Sequence, residues 1–271
     1  MSEYPRFDFD QVDFITADTH FGHQRIIELA DRPFGSVDEM NDEMTRRWND
    51  IVGPDDVVLH LGDVALGPIE ESMAMTRKLN GRRFLIPGNH DRVSSATQTK
   101  AAIERFRPLY EAAGWEILPE IVEGTRSGHR LLACHYPYWG DSQEVERHRA
   151  HRPRNDEELP LLHGHTHARD HGPGGLEFHV GVDAHGFAPI PFARIDEWIT
   201  TIHPGLTRLN TAIRDAREIV TSYENVPWPE MDALYYTQGY NDLRAVLGEL
   251  LDALDAPEPD SHHDEALPDG D

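Results

Sequence analysis

The sequence has one cysteine, two lysines and no apolar run long enough to cross a membrane. The single Cys134 excludes an internal disulfide bond, and a chain almost without cysteine is typical of a reducing compartment. The N-terminal residues do not form a basic segment followed by an apolar one, so we expect neither a leader peptide nor a membrane anchor. These absences predict a cytoplasmic protein.

Positive charge is also scarce. Asp and Glu number 49 against 25 Lys and Arg, which gives a formal net charge of -24. Phosphate backbones and anionic lipid surfaces repel such a chain, so duplex nucleic acid and membranes are disfavoured as partners. Because the lysines are only Lys78 and Lys100, the cations are nearly all arginine, which suits bidentate contacts with carboxylate or phosphate. A GC-rich or salt-adapted source explains this bias equally well.

Predicted strands and helices alternate along the first half of the chain. Strands are predicted at 13–17, 57–61, 83–87, 116–122 and 130–134. Helices are predicted at 37–51, 68–79 and 99–110. This alternation is typical of an α/β fold. We assign the last two strands to a second sheet, joined by a polar turn over 123–129.

The C-terminal part of the chain has a different pattern. Two apolar helical faces, beginning at Leu206 and Leu243, predict a helical extension over 206–256 that packs on the main domain, 1–205, or pairs with another subunit in a homodimer. The tail 257–271 is rich in proline and acid, and we predict that it is disordered.

Metal-binding side chains follow successive predicted strands. In chain order they are Asp18 and His20, Asp63, Asn89 and His90, His135, and His165 and His167. Open α/β sheets place their chemistry at the ends of the strands, where side chains two residues apart point the same way. Carboxylate, amide and imidazole groups together suit a site that binds cations and moves a proton.

Other residues have two open interpretations. His60 is either an ordinary core histidine or a residue that supports a ligand, and His179 and His185 either support ligands or lie in loops. The basic segment Arg147–Arg154 could hold a phosphorylated substrate through Arg147 and Arg149, or be a solvated loop. Tyr136 and its aromatic neighbours could stack on a nucleobase, or pack beneath their loop.

The order of these groups resembles the calcineurin-like metallophosphoesterases. The family's five blocks are here Asp18-Thr19-His20, Gly62-Asp63, Gly88-Asn89-His90-Asp91, His135 and Gly164-His165-Thr166-His167. The similarity covers about 14–195, and Phe21-Gly22-His23 after the first block is similar to a small bacterial and phage-type branch. The resemblance implies a β-sandwich of two mixed sheets flanked by helices, α+β in its layers, with two metals at the sheet ends.

The resemblance also implies the ligands. One metal would be held by Asp18, His20, Asp63 and His167, and the other by Asp63, Asn89, His135 and His165. A shared aspartate is physically sensible because a carboxylate can bind two cations whereas a neutral imidazole binds one. Ligands of mixed type suit Mn²⁺ first, with Fe, Zn²⁺ or Ni²⁺ as alternatives, better than Mg²⁺.

By the same resemblance, a hydroxide bridging the two metals would attack phosphorus in a phosphodiester, including a nucleotide-type one, or a phosphomonoester. His90 would protonate the leaving group, and Asp91 would orient His90 or its loop. His23 would contact phosphate or a nearby water. Alternatively, it packs within its loop and has no role in the site.

Two other functions fit the same sequence. A nuclease would use the Arg147–Arg154 segment to guide a short single strand. A scaffold protein would keep the fold without catalysis, which the complete set of ligands disfavours. A metallo-β-lactamase-like site is poorly supported, because Ala168-Arg169 follows His167 where an Asp-His pair would be expected.

Overall fold

The computed structural model describes residues 4–143, 145, 147–155, 158–169, 175–202 and a few helical positions within 239–248. Met1–Ile202 form one compact unit. The predicted helical extension lies outside the described residues except for those few positions, and the predicted tail 257–271 lies outside them entirely. The predicted division of the chain therefore stays a prediction. No helix in the described part of the chain combines the length and apolar character needed to span a bilayer.

Ten strands, five α-helices and three short 3₁₀ helices make up the described part of this unit. The strands are β1 Arg6–Asp8, β2 Phe14–Thr16, β3 Val57–His60, β4 Arg82–Leu85, β5 Trp115–Ile117, β6 Ile121–Arg126, β7 His129–Cys134, β8 Leu161–His163, β9 Glu177–His179 and β10 Ile190–Pro191. The helices are α1 Ile26–Leu29, α2 Val37–Ile51, α3 Ile69–Thr76, α4 Lys100–Ala112 and α5 Ala193–Thr201.

The strands form two five-stranded mixed sheets. The first has the order β10-β2-β3-β4-β5, in which β2 to β5 are parallel and β10 is antiparallel. The second has the order β1-β6-β7-β8-β9, in which only β6 and β7 pair antiparallel. The two mixed sheets with their helices confirm the predicted α/β metallophosphoesterase-type architecture.

One predicted strand, 116–122, is wrong. The structure divides it into β5, which lies in the first sheet, and β6, which begins the second. Pro119 separates the two, and a proline interrupts strand pairing because it has no N–H to donate. The predicted turn over 123–129 is mostly strand as well, since β6 continues to Arg126 and the turn is confined to its junction with β7.

The two sheets share an apolar core. Side chains alternate along a strand, so Leu59 packs into the cluster between the sheets while Val58 packs into the cluster under the helices. In the second sheet, Leu131 joins the central cluster and Leu132 lies on the other face. Each side of both sheets is therefore covered, as expected for strands without a solvated face.

Helix α2 covers the first sheet with the face that the sequence predicts. Ser36 caps it, with Oγ accepting from the Glu39 N–H at 3.2 Å, and the Glu39 carboxylate accepts from the Gly35 N–H at 2.8 Å. Trp48, fully buried on the inner face, lies edge-on to Trp115 of β5. This packing fixes the sheet whose strand ends carry the polar residues.

Candidate metal centre

The predicted ligands follow five strand ends that meet at one edge of the sandwich. They leave β2, β3 and β4 in the first sheet and β7 and β8 in the second. Hydrogen bonds tie the loops together: the Asp18 N–H donates to the Gly62 carbonyl at 3.0 Å, and the Gly164 N–H donates to the His135 carbonyl at 3.0 Å. The chain thereby brings residues 147 positions apart into contact, because the His165 N–H donates to Asp18 Oδ2 at 3.0 Å.

Many of these residues have a left-handed backbone. Positive φ angles of 52 to 72° occur at Asp18, His20, Asp63, His165 and His167. The conformation is uncommon for residues other than glycine and costs about 1–3 kcal/mol each where it is strained. Strain of this kind gathers at functional sites, and here it turns each side chain towards a common centre.

Asp63 lies at that centre. Its Oδ2 is 3.5 Å from His20 Nε2 on one side and 3.6 Å from His135 Nε2 on the other. Its Oδ1 accepts from the His90 N–H at 2.8 Å, which fixes the orientation of the carboxylate. The Asp63 carboxylate therefore lies between the His20 and His135 rings.

On one side of Asp63, Asp18, His20 and His167 place one donor atom each within 4.8 Å of one another. Asp18 Oδ1 and both His20 nitrogens are buried and have no hydrogen-bond partner among the described residues. Buried polar atoms are normally satisfied, and orphaned ones indicate an ion or water. The donor set fits a bound divalent cation.

On the other side of Asp63, two hydrogen-bond acceptor atoms face each other. His135 Nδ1–H donates to the Leu61 carbonyl at 2.8 Å, which leaves Nε2 with a lone pair in the neutral ring. That Nε2 lies 3.1 Å from Asn89 Oδ1 and 3.2 Å from His165 Nδ1. The lone pair of His135 Nε2 and the Asn89 amide oxygen, with the His165 ring beside them, fit a cation, which would relieve the repulsion between these two acceptors.

The electrostatics agree with this interpretation. Burial raises the pKa of Asp18 to about 6, and it lowers the pKa of His20 well below its ordinary value, with the neighbouring His167 adding to the effect. His20 is therefore a neutral ring with a lone pair to donate. Nearby positive charge would restore the Asp18 carboxylate to its ionised form.

Asp183 and Arg32 support His167. His167 Nδ1–H donates to Asp183 Oδ2 at 2.8 Å, which leaves Nε2 for a metal. Although burial opposes it, the hydrogen bond to Asp183 raises the pKa of His167. Arg32 holds both Asp183 oxygens, at 2.8 and 2.9 Å, and also donates to the Asp18 carbonyl at 2.7 Å.

Asp91 supports the loops rather than facing the centre. Its carboxylate is fully buried and accepts from the backbone N–H groups of Asp63 and Gly88, both at 2.8 Å, and from the Tyr110 hydroxyl at 3.3 Å. Of the two roles predicted for Asp91, these contacts favour holding the His90 loop. The carboxylate ties the loop after β3 to the loop after β4.

Comparisons with known proteins identify the family of this chain. A model of the calcineurin-like phosphoesterases matches residues 14–169, which include every predicted metal ligand. The chain belongs to this family. Calcineurin-like phosphoesterases are metal-dependent, in agreement with the donor groups described above.

Relatives of this phosphoesterase chain occur in phages. It is 34% identical over 208 residues to the Gene 66 protein of Mycobacterium phage D29. This match covers 71% of this chain and 98% of that protein. It is 30% identical over 189 residues to the Gene 66 protein of phage L5, covering 64% and 87%. A protein of unknown function from Aquifex aeolicus has the same fold, with a TM-score of 0.52 and 23% identity over 68% of this chain and 97% of that one.

The structure brings the predicted site of this calcineurin-like phosphoesterase together. All seven predicted metal ligands meet around Asp63: Asp18, His20, Asp63, Asn89, His135, His165 and His167. The ring of His90 lies 5.3 Å from the ring of His20 and, unlike that ring, is partly exposed. The His23 ring, also partly exposed, lies 5.3 Å from His20 and 6.2 Å from His90.

The remaining predicted substrate contacts are arranged differently. Tyr136 is buried and its ring packs 5.0 Å from that of His135 and 4.9 Å from that of His165, so it forms a wall of the centre. Arg147 is bound to Asp141, with Nη2 at 2.6 Å from Oδ1. Arg149 is exposed at the start of the short 3₁₀ helix Arg149–His151. Their contact with substrate stays a prediction.

Three supporting residues escaped the sequence analysis. Asp183 and Arg32 hold His167, and Asp141 lies 3.1 Å from His165 Nε2 through its Oδ2. Asp183 follows Gly181-Val182, and Arg32 and Asp141 lie in loops. Arg32 and Asp183 are 151 positions apart, so no local spacing identifies the pair.

Proposed function

We propose that this chain is a hydrolase that cleaves a phosphodiester or phosphomonoester with two divalent metal ions held at Asp63. Membership of the calcineurin-like phosphoesterases supports the class of reaction. The position of the Asp63 carboxylate, between the His20 and His135 rings, supports the binding of two ions. The absence of any replacement among the seven ligands weighs against a scaffold that has lost catalysis.

The observation that carries the proposal is the placement of Asp63 Oδ2 between two imidazole nitrogens, 3.5 Å from His20 and 3.6 Å from His135. The His135 ring donates from its other nitrogen to the Leu61 carbonyl, so it turns a lone pair towards the carboxylate. A carboxylate and an imidazole lone pair repel each other unless a cation lies between them. On the His20 side, burial keeps the ring neutral, and neither of its nitrogens has a hydrogen-bond partner among the described residues, so the ring has a lone pair for a cation.

Asp18, His20, Asp63 and His167 would hold one ion, and Asp63, Asn89, His135 and His165 the other. Bound ions in this arrangement acidify a water and offset the charge on the phosphoryl oxygens. The chain's own contribution is to fix the donors. The strained backbone aims them, Asp91 locks two of their loops, and Thr97 Oγ1 donates to the Asn89 carbonyl at 2.8 Å.

His90 would handle the proton of the leaving group. Its backbone N–H is fixed on Asp63 Oδ1, while its partly exposed ring lies at the mouth of the centre. An imidazole with access to solvent and close to the metal ligands can donate a proton to a departing oxygen. His23, whose ring lies 6.2 Å from that of His90, would contact the phosphoryl group or a water beside it.

The donor chemistry favours Mn²⁺ as the ion, with Fe, Zn²⁺ or Ni²⁺ as alternatives. Nitrogen and oxygen ligands are mixed on both sides, whereas Mg²⁺ prefers oxygen ligands alone. The described residues around Asp63 contribute no thiolate, because Cys134 is buried in the cluster on the outer face of the second sheet.

The test is hydrolysis of bis(p-nitrophenyl) phosphate and p-nitrophenyl phosphate by metal-stripped protein re-supplied with Mn²⁺. We expect turnover that depends on Mn²⁺, and the preferred ester decides between diesterase and monoesterase. Asn89→Ala removes one oxygen donor and should abolish this turnover. Asn49→Ala, which alters an exposed hydrogen bond to the Lys78 carbonyl far from the ligands, should leave it unchanged.

A second assay examines His90. If His90 protonates the leaving group, His90→Gln should slow hydrolysis of an alkyl or nucleoside phosphate much more than hydrolysis of a p-nitrophenyl ester, whose leaving group needs little help. The expected loss for the poor leaving group is about 10²–10⁴-fold. Equal loss for both esters would contradict the role of His90, and absence of Mn²⁺-dependent turnover of any ester would contradict the proposed function.

A further inference from the structure

One predicted metal ligand, His165, has a carboxylate close to it on its far side. His165 Nδ1 lies 3.2 Å from His135 Nε2, within the group of donors, while its Nε2 lies 3.1 Å from Asp141 Oδ2. The Asp141 side chain has no exposed surface. An imidazole that faces a carboxylate with one nitrogen has its N–H drawn to that side, which leaves the other nitrogen free to bind a metal.

Asp141 is itself fixed by arginine. Arg147 donates from Nε and Nη2 to Oδ1, at 3.1 and 2.6 Å, and from its backbone N–H to Oδ2 at 2.9 Å. Arg152 Nη2 lies 3.7 Å from the same Oδ2. Although burial opposes it, these hydrogen bonds lower the pKa of Asp141 well below its ordinary value. Asp141 therefore faces His165 as a carboxylate of fixed orientation.

The arrangement has a counterpart on the other side of Asp63. There Asp183 faces His167, and Arg32 holds Asp183. Each half of the centre thus has one histidine that faces an Asp–Arg pair. The two pairs differ in exposure, because the Arg32 side chain is fully buried whereas a third of the Arg147 side chain is exposed.

We propose that Asp141 is a positioning residue that sets the affinity of the second ion, the one held by Asn89, His135 and His165, separately from the first. This inference rests on the proposed two-ion function. Asp141 keeps His165 in the orientation that presents Nδ1.

The experiment is a Mn²⁺ titration of metal-stripped, full-length protein, followed by calorimetry and by the electron paramagnetic resonance signal of Mn²⁺. The wild-type protein should bind two ions with two affinities and give an exchange-coupled signal when loaded. Asp141→Asn should weaken the second ion by about 10–100-fold and leave the first unchanged. At intermediate Mn²⁺ it should give the signal of an isolated ion.

Two control variants sharpen the test. Asp183→Asn should weaken the first ion and not the second, which is the reverse of Asp141→Asn. Asp196→Asn removes a carboxylate that Arg126 holds at 2.8 Å through both oxygens, away from the centre, and should change neither affinity. If Asp141→Asn does not fold, Arg147→Met, which retains Asp141 and removes its hydrogen-bond donor, must give the same selective loss.

The outcomes separate this inference from the proposed function. A wild-type protein that binds fewer than two Mn²⁺ ions overturns both. Two ions in the wild type, with unchanged or equally weakened affinities in Asp141→Asn, overturn the positioning role alone. Selective loss of the second ion, with the first intact, supports it.

Discussion

His167 and Asp183 form a partly buried pair in which Nδ1–H of the ring donates to a carboxylate oxygen at 2.8 Å. Arg32 holds the other side of the carboxylate and also donates to the backbone carbonyls of Asp18, at 2.7 Å, and Thr19, at 3.0 Å. One arginine thereby connects the loop after β2 with the support of a ligand that follows β8. The stability of the fold and the geometry of the centre depend on the same contacts.

Replacement of Arg32 should therefore be costly even without metal. Arg32→Met leaves Asp183 buried without its cation and two carbonyls without a donor, and loss of one partner of a buried pair costs about 3–5 kcal/mol. Urea unfolding of metal-free protein measures the free energy. Arg126→Met breaks the more exposed pair with Asp196 and hydrogen bonds to the Phe9, Asp10 and Val12 carbonyls; it is the matched control and should cost less. Equal losses would contradict the account of Arg32.

Gly88 should not tolerate a side chain. A Cβ there would lie 2.3 Å from Asp63 Oδ1 and 2.8 Å from the His135 ring, and both groups belong to the centre. Gly88→Ala should abolish Mn²⁺ binding, measured by titration. Gly53→Ala, whose Cβ would meet only the Asp56 side chain, at 3.3 Å, should bind normally. Full Mn²⁺ affinity in Gly88→Ala would show that the loop after β4 is not packed as described.

His60 should make the stability of the protein depend on pH. Its Nδ1 accepts from the Gly62 N–H at 3.1 Å, and its Nε2 lies 3.0 Å from the Thr19 hydroxyl, which itself donates to the Val64 carbonyl at 2.9 Å. The ring is therefore a satisfied neutral histidine, and burial lowers its pKa from 6.5 to about 3. The unfolded chain takes up a proton below pH 6.5 and the folded chain does not.

Because the folded pKa is depressed, the contribution of His60 to stability is present above pH 6.5 and is lost as the pH falls. The loss is about 1.4 kcal/mol per pH unit. In metal-free protein, His60→Gln should flatten the slope of the unfolding free energy by that amount between pH 6.5 and about pH 5. An unchanged slope would show that the ring is protonated or exposed.

Cys134 should be chemically inert in the native protein. It has no exposed surface, and burial raises the pKa of its thiol to about 12, so little thiolate forms. We expect a disulfide reagent to leave the folded protein unmodified at mildly alkaline pH. After denaturation the reagent should modify one thiol per chain. Rapid reaction before denaturation would contradict the burial of Cys134.

Many residues of this centre can be predicted from the sequence, for a physical reason. Ligands such as Asp18 and Asp63 directly follow apolar runs, and parallel strands end at one edge, so local pattern and topology together indicate that they meet. The same pattern failed at 116–122, where apolar residues on both sides of Pro119 suggested one strand. There Pro119, which cannot continue strand pairing, marks the boundary between β5 and β6.

The supporting residues were beyond local pattern. Asp141 and Asp183 are ordinary loop aspartates in the sequence, and only the folded chain brings them to His165 and His167. Arg32 reaches Asp183 across 151 positions. Contacts of this kind depend on how the loops pack, which neither periodicity nor spacing reports.

The most direct test of the central claim is a crystal structure of the Mn²⁺-loaded protein with anomalous scattering data collected at the manganese edge. The account predicts two peaks about 3.5–4 Å apart, with the Asp63 carboxylate bound to both. The His135 and His165 rings should contact one peak, and the His20 and His167 rings the other. A single peak, or two peaks that do not share Asp63, would contradict it.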